Sequence, residues 1–251
     1  MKKIILACVA AILSLSFVHA RETTEGQTAG DVSEEHEFTP IKMQRLLSLG
    51  VTAGVNMTAY SGDRNAAMGI GGQIGINCDI PVSEHFSIMP ELIFTNQSVK
   101  LDNVAWDVEG NAVKTTSTDN LFYMNVPVTL KWSTYLGAGR PFIALGPMLN
   151  VGLYGKNKIK GSDTKLLLFQ PDPNSDYREY REKAYYNDVD FSVYLKLGYD
   201  FDFGLSIAAA LQWGLANMYK MDDERKSLYT ESELNTSQKN RTIYVSLGYN
   251  F

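Results

Sequence analysis

The chain has 251 residues and a formal net charge of -5, with 45% hydrophobic and 20% charged residues. That composition is too apolar for a disordered chain and too polar for a protein that crosses a membrane with helices. The acidic balance disfavours nucleic-acid binding, and a count of 3 histidines disfavours a His-rich metal or hydrolase site. We therefore predict no cofactor, no metal and no nucleic-acid partner.

The first 20 residues have the three parts of a secretory signal peptide. A short basic start precedes the apolar residues 4–18, and Val18 and Ala20 place branched and small side chains at the -3 and -1 positions of a cleavage site. We predict cleavage after Ala20. Cys78 then remains as the only thiol, so the exported chain has no internal disulfide.

Residues 21–45 are polar and acidic and show no apolar period. Such a segment cannot bury enough apolar surface to fold by itself. We predict a flexible periplasmic leader over 21–45 and a single barrel domain over 46–251.

From residue 46 onward, apolar side chains recur at every second position. In residues 47–58 they alternate with Ser, Gly, Thr and Asn, which is the pattern of a strand with two unlike faces. Most of these segments are longer than the ~5–6 residues usual in soluble sheets and fit the ~9–11 residues of a tilted membrane-spanning strand. The eight predicted strands are 47–58, 68–80, 86–97, 120–133, 141–154, 191–199, 205–215 and 242–251.

The connections between these strands are short at one end and mostly long and polar at the other. This layout is typical of an outer-membrane barrel. We predict an all-β, eight-stranded antiparallel up-and-down transmembrane barrel, with ten strands as the alternative. An even number places both chain ends on the periplasmic, short-turn side. The short connections are 81–85, 134–139 and 201–203, and the long ones are 98–119, 156–188 and 219–240.

The same alternation assigns polar side chains to a narrow lumen. It places Glu91, Lys131, Lys196 and Gln212 inside, where small neighbours leave room for large ones. We favour a structural plug of paired charges over an ion path or proton relay. The tyrosines predicted on this inner face are Tyr123, Tyr154, Tyr194 and Tyr244.

The opposite face carries aromatic side chains, mostly near the strand ends. In outer-membrane barrels such residues form girdles at the membrane interfaces. The outward aromatic residues are predicted to be Phe86, Phe94, Trp132, Tyr199, Trp213, Tyr249 and Phe251.

Three motifs carry a family resemblance. The segments MPELIF at 89–94, FYMNVPVTLKW at 122–132 and RPFIALGP at 140–147 occur in order, and the chain ends in Tyr249-Asn250-Phe251. The set resembles the Bacteroidota outer-membrane barrel family that includes the PorT-like proteins. The resemblance implies an OmpA/OmpX-like scaffold in outer-membrane lipid. It also implies insertion by the barrel-assembly machinery, with Tyr249 and Phe251 in the assembly signal.

The favoured function is that of a non-enzymatic surface barrel, a scaffold, adhesion or secretion-associated protein that acts through its extracellular loops. Residues 99–115 also alternate and could form a hairpin whose edge binds a partner strand. The envelope or cell-surface partner is not identified by the sequence. Tyrosine and arginine often carry interface energy, and the loop contact candidates are Tyr177, Arg178, Tyr180, Arg181, Tyr185 and Tyr186.

Three alternatives remain open at this point. A small porin requires extra strands, and the segment 166–169 (LLLF) could be an added strand or a loop clamp. An outer-membrane hydrolase would have to use Asp119 or Asp188, because no histidine lies near the outer strand ends. A soluble lipocalin-like barrel would turn its apolar face inward around a ligand.

Overall fold

A computed structural model gives the structure of part of the chain. The chain divides into two units, Met1–Leu47 and Ser48–Phe251, and the barrel belongs to the second. The predicted signal peptide, its cleavage at Ala20 and the leader at 21–45 lie outside the described residues and stay predictions. The structure describes residues 47–61, 66–106, 112–159, 165–171, 173, 184, 186–217 and 238–251.

The secondary structure of these residues consists of antiparallel strands. Within the described ranges there is no helix long and apolar enough to cross a membrane. The strands are β1 (Ser48–Ser61), β2 (Ala66–Pro81), β3 (Phe86–Trp106), β4 (Ala112–Ser133), β5 (Gly139–Ile159), β6 (Lys165–Leu167), β7 (Val189–Phe201), β8 (Leu205–Gly214) and β9 (Lys239–Asn250).

Eight of these strands form a closed barrel in which each strand pairs with its neighbours along the chain. The seam is made by β1 and β9, which pair from Gly50 opposite Asn250 to Ser61 opposite Lys239. The short β6 stands outside this ring and pairs with β5 alone. The predicted eight-stranded antiparallel barrel is therefore confirmed, and the described residues do not form the ten-stranded alternative.

The first and last strands of the barrel meet at its short-turn end. The Ser48 hydroxyl donates a hydrogen bond to the carbonyl of Phe251 at 3.3 Å. The amide of Phe251 donates to the carbonyl of Leu49 at 2.7 Å. These bonds extend the pairing of the seam to the last residue.

The two faces of the wall differ as the alternation predicts. On β1 the inner Asn56 and Thr58 are buried, whereas the outer Val55 is 52% exposed. Because the apolar face points outward, the lipocalin-like alternative is wrong. We define the apolar band as the stretch of each strand with apolar outward residues, at 49–57, 70–80, 86–94, 122–132, 143–153, 191–199, 205–215 and 243–251.

A β-bulge in β5 changes the faces near its upper end. Tyr123 pairs with Gly152 and Phe122 pairs with Tyr154, which leaves Leu153 as an extra residue. Tyr154 therefore shares the outer face with Phe122, and their ring centroids are 6.4 Å apart. The predicted inward position of Tyr154 is wrong, because one bulged residue reverses the alternation beyond it.

Glycines on the inner face allow neighbouring strands to approach closely. A Cβ atom added at Gly146 would lie 2.1 Å from the carbonyl oxygen of Val128, and one added at Gly71 would lie 1.8 Å from that of Asn96. Both contacts are with backbone, which cannot move without disturbing the ladder. The outward Gly72 is different, because its nearest neighbour would be 3.8 Å away.

Adjacent glycines therefore provide a matched test of the wall. We expect Gly71→Ala to lower the free energy of unfolding by about 1–3 kcal/mol through overpacking. Gly72→Ala should change it by less than about 0.5 kcal/mol, as surface substitutions usually do. Urea titration in detergent, with the heat-sensitive gel mobility of the folded barrel as the readout, measures both values. Equal destabilisation by the two variants would contradict this account of the inner face.

Candidate functional site

The interior is filled by polar layers, of which the lowest lies near the short turns. Lys131 on β4 is buried, and its ammonium lies 2.5 Å from Asp79 on β2 and 2.7 Å from Asp200 on β7. The same ammonium is 4.6 Å from the ring centroid of Phe142. One lysine thus braces strands from three parts of the wall.

The next layer is a single buried ion pair. The Lys196 ammonium lies 2.7 Å from Oε2 of Glu91, and both side chains are less than a tenth exposed. These residues come from β7 and β3, which are not neighbours in the sheet. The pair therefore spans the lumen. Since both buried lysines have a carboxylate in contact, the two lower layers fit a plug rather than a path for ions.

Above this pair lies an uncharged network centred on Gln212. Its amide nitrogen donates to the Ser192 hydroxyl at 3.1 Å and to the Asn150 side chain at 3.3 Å. The Tyr244 hydroxyl donates to the Gln212 carbonyl oxygen. Tyr194 packs against Tyr244 with ring centroids 6.1 Å apart. Side chains therefore occupy the middle of the barrel.

The end of the lumen opposite the short turns, which we call the outer end, is organised around Asp119. This residue lies beyond the apolar band of β4. Its Oδ2 accepts hydrogen bonds from the hydroxyls of Tyr60 at 3.1 Å and Tyr186 at 2.7 Å. Its Oδ1 accepts one from the Asn157 amide at 2.6 Å. Burial raises the pKa of the Asp119 carboxyl, and the three hydrogen bonds offset part of that increase.

The segment 165–169 closes this outer end. Strand β6 pairs with β5, and the amide of Leu168 then donates to the Gly155 carbonyl at 3.1 Å. Leu168 and Phe169 are buried, and the Phe169 ring packs on Tyr123 with centroids 5.4 Å apart. The sequence offered two interpretations of 166–169, an added strand or a loop clamp, and both apply. The three-residue β6 positions the buried side chains of Leu168 and Phe169 over the lumen.

The structure brings together one part of the predicted site. Glu91, Lys131, Lys196 and Gln212 all lie buried on the inner face. Sequence reasoning missed Asp200 as a partner of Lys131, because that pairing depends on how distant strands are arranged around the barrel.

The loop contact candidates divide into two groups. Tyr186 is buried, with 2% of its surface exposed, and it binds Asp119 rather than facing solvent. The carbonyl of Asp188 accepts a hydrogen bond from the Gly152 amide at 2.7 Å. The remaining candidates, Tyr177, Arg178, Tyr180, Arg181 and Tyr185, lie outside the described residues.

Aromatic and apolar side chains surround the short-turn end. Tyr249 and Phe251 are 46% and 71% exposed, with ring centroids 5.2 Å apart. Phe86 is paired with Trp132, and both are exposed at the lower edge of the apolar band. This is the arrangement by which membrane barrels place aromatic rings at the lipid interface.

Three strands continue beyond the apolar band at the opposite end. β3 extends from 95 to Trp106, β4 from Ala112 to 121, and β5 from 154 to Ile159. β2 pairs with β3 only as far as Leu101. The backbone of 102–106 therefore has a strand partner on its β4 side but not on its other side among the described residues. Together with β6 these extensions form what we call the protruding sheet, and in the described part of the chain 102–106 is an open edge of it.

A closed barrel with an apolar outer band and a polar, side-chain-filled interior is a transmembrane barrel of the outer-membrane class. The chain belongs to the family described as outer membrane protein beta-barrel domain, whose model matches residues 27–220. Membership places it in the outer membrane of a Gram-negative bacterium. No curated protein matches the chain.

The chain is similar to several solved structures, among them the following three. Neisserial surface protein A is 8% identical over 82% of this chain and 97% of its own, with a TM-score of 0.41. Ail, the attachment invasion locus protein of Yersinia pestis, is 9% identical over 81% and 98%, with a TM-score of 0.37. The N-terminal barrel domain of Pseudomonas aeruginosa OprF is 12% identical over 81% and 97%, with a TM-score of 0.34.

The Glu91–Lys196 pair makes a prediction about stability. Lys196→Met leaves a buried carboxylate without its partner, so we expect a loss of about 3–5 kcal/mol in the free energy of unfolding. The double variant Glu91→Leu/Lys196→Met should recover most of this loss, because it leaves no unpaired charge. Lys100→Met, at an exposed position, is the control. A double variant no more stable than the single one, measured by urea unfolding in detergent, would show that the pairing of charges does not set the cost.

The filled lumen also makes a prediction about conductance. We expect the protein to give no stable single-channel steps in planar bilayers, since eight strands leave an interior that side chains fill. Phe169→Ala should also give none, because the layers of Gln212, Lys196 and Lys131 remain below it. A large porin in the same bilayer serves as the positive control. Regular steps from the wild type would favour the porin alternative.

Proposed function

We propose that this protein is a non-enzymatic surface barrel that acts through its extracellular segments as a scaffold, adhesion or secretion-associated protein. The observation that carries the proposal is the protruding sheet with its open edge at 102–106. The part of β4 that lies beyond the apolar band, residues 112–121, measures roughly 33 Å when extended. This strand alone therefore reaches well beyond the hydrocarbon layer. A segment of this length is not needed to cross the membrane.

The open edge suggests how a partner would bind. The side of 102–106 that faces away from β4 has no strand partner among the described residues, so its N–H and C=O groups can accept a further strand, the mode known as β-augmentation. The interior offers no comparable opening, because Leu168, Phe169 and Tyr186 are buried at its outer end. Binding is therefore assigned to the sheet and the neighbouring loops, where Tyr177, Arg178, Tyr180, Arg181 and Tyr185 remain contact candidates.

The proposal includes an orientation. The long connections face the cell exterior, and the short turns with both ends of the barrel domain face the periplasm. The barrel-assembly machinery is the proposed insertion partner, with Tyr249 and Phe251 in its recognition signal. The ordered motifs at 89–94, 122–132 and 140–147 support a place among the PorT-like barrels of Bacteroidota.

Enzymatic activity is not part of the proposal. Asp119 is one of the two candidate carboxylates, and its two oxygens accept hydrogen bonds from Tyr60, Tyr186 and Asn157. A general base needs a free oxygen that can reach a substrate. The geometry supports a structural anchor instead.

The experiment replaces residues 102–116 by an Asn-Gly turn, which keeps the hairpin connection but removes the open edge. We expect cells that express this variant to lose attachment to the surfaces and envelope partners that wild-type cells bind. The matched control shortens a different outer connection, residues 219–236, in the same way. Undiminished attachment by the 102–116 variant would count against the proposal.

Cysteine labelling tests whether the variants are inserted in the proposed orientation. Lys100→Cys and Asp202→Cys place exposed thiols at opposite ends of the barrel, and the native Cys78 is buried. A membrane-impermeant maleimide should label Lys100→Cys in intact cells, and Asp202→Cys only after permeabilisation. Labelling in the reverse order would overturn the orientation.

A further inference from the structure

An open cavity of about 200 Å³ lies at the short-turn end, between the first and second turns. The backbone joins the two turns here, because the Ser133 amide donates to the His85 carbonyl at 2.9 Å. Its lining includes a guanidinium, an imidazole, two aliphatic hydroxyls and one carboxylate. It is lined by Glu84, His85, Ser133, Thr134, Tyr135 and Arg140.

Arg140 is the group in this cavity that is best prepared to bind an anion. Its guanidinium stacks 3.8 Å from the ring centroid of Tyr135 and donates a hydrogen bond to the hydroxyl of that residue. Stacking holds the planar fork in place while most of its N–H groups stay available. Across the described ranges, no carboxylate lies within ion-pairing distance of this guanidinium. Glu84 also lines the cavity and is exposed.

The cavity lies at the depth of the membrane interface. Phe86 follows the first turn and Trp132 precedes the second, and both are exposed at the lower edge of the apolar band. Large apolar side chains also project from the turns themselves, since Val82 in the first and Leu136 in the second are each about two-thirds exposed. Side chains of this kind at strand ends are expected to contact the lipid headgroup region.

We propose that this cavity binds the headgroup of a membrane glycerophospholipid that carries both a phosphate and a primary ammonium. Arg140 binds the phosphate through charge-assisted hydrogen bonds, with the hydroxyls of Ser133 and Thr134 beside it. Glu84 accepts hydrogen bonds from the ammonium. The surrounding apolar side chains hold the acyl chains of the same lipid, which is why a lipid fits better than a free phosphate ester. In the proposed orientation this is a lipid of the periplasmic leaflet.

The test uses the full barrel in a maltoside detergent, whose headgroup contains no phosphate. Native mass spectrometry measures retention of dioctanoyl phosphatidylethanolamine, dioctanoyl phosphatidylcholine, dioctanoylglycerol and free phosphoethanolamine. We expect one equivalent of the phosphatidylethanolamine to be retained, with weaker retention of the other three. Arg140→Gln should weaken this binding by about tenfold or more, the effect of losing a charge-assisted hydrogen bond.

Matched variants test the phosphate site at Arg140 and the ammonium site at Glu84 separately. Arg241 is exposed near the start of β9, at the end of the barrel opposite the cavity, so Arg241→Gln should bind the lipid like the wild type. Glu84→Gln should reduce the preference for phosphatidylethanolamine over phosphatidylcholine. Thr134→Val provides a second perturbation of the cavity if Arg140→Gln does not fold, with heat-sensitive gel mobility as the check.

Three results would overturn the proposal. Equal retention by wild type and Arg140→Gln would remove the phosphate site. Equal retention of dioctanoylglycerol would show that the apolar side chains alone hold the lipid. Phosphoethanolamine that binds as tightly as the lipid would assign the cavity to a soluble phosphate ester. The proposal depends on the transmembrane barrel and not on the protruding sheet, so an unaltered attachment of the 102–116 variant would leave it intact.

Discussion

Backbone groups inside a lipid bilayer have no water to bind, so every N–H and C=O of the wall must be paired within the protein. The pairing of β1 with β9 meets this requirement by closing the sheet. Closure with eight strands fixes a small circumference, which explains why inner positions such as Gly71 and Gly146 lie too close to neighbouring backbone to carry a side chain. The outward apolar band and the inward polar layers are both consequences of the same closed wall.

The small circumference also determines how charge is buried. Two lysines lie in contact with three carboxylates inside the barrel. Each contact joins two strands that are not adjacent in the sheet. Lys131 and Lys196 therefore act as cross-links between distant parts of the wall. A lumen held in this way is suited to rigidity, and our proposal therefore assigns binding to the segments outside the membrane.

The wall could be predicted from the sequence because alternation depends only on the period of a strand. The inward positions of Glu91, Lys131, Lys196 and Gln212 follow from that period. The period does not reveal where a bulge interrupts the alternation, as the outward position of Tyr154 shows. It also carries no information on connections that fold back, so the burial of Tyr186 against Asp119 was missed. That contact depends on tertiary packing above the membrane.

The bulge at Leu153 divides β5 into two parts, and the register of β5 against β4 shifts by one residue between them. Removal of Leu153 would leave a regular ladder in which Asn157 still faces Asp119. Removal of a residue from the regular part of the strand would instead turn every inner side chain above it outward. The protruding part of the strand can thus gain or lose a residue at this point without altering the membrane wall.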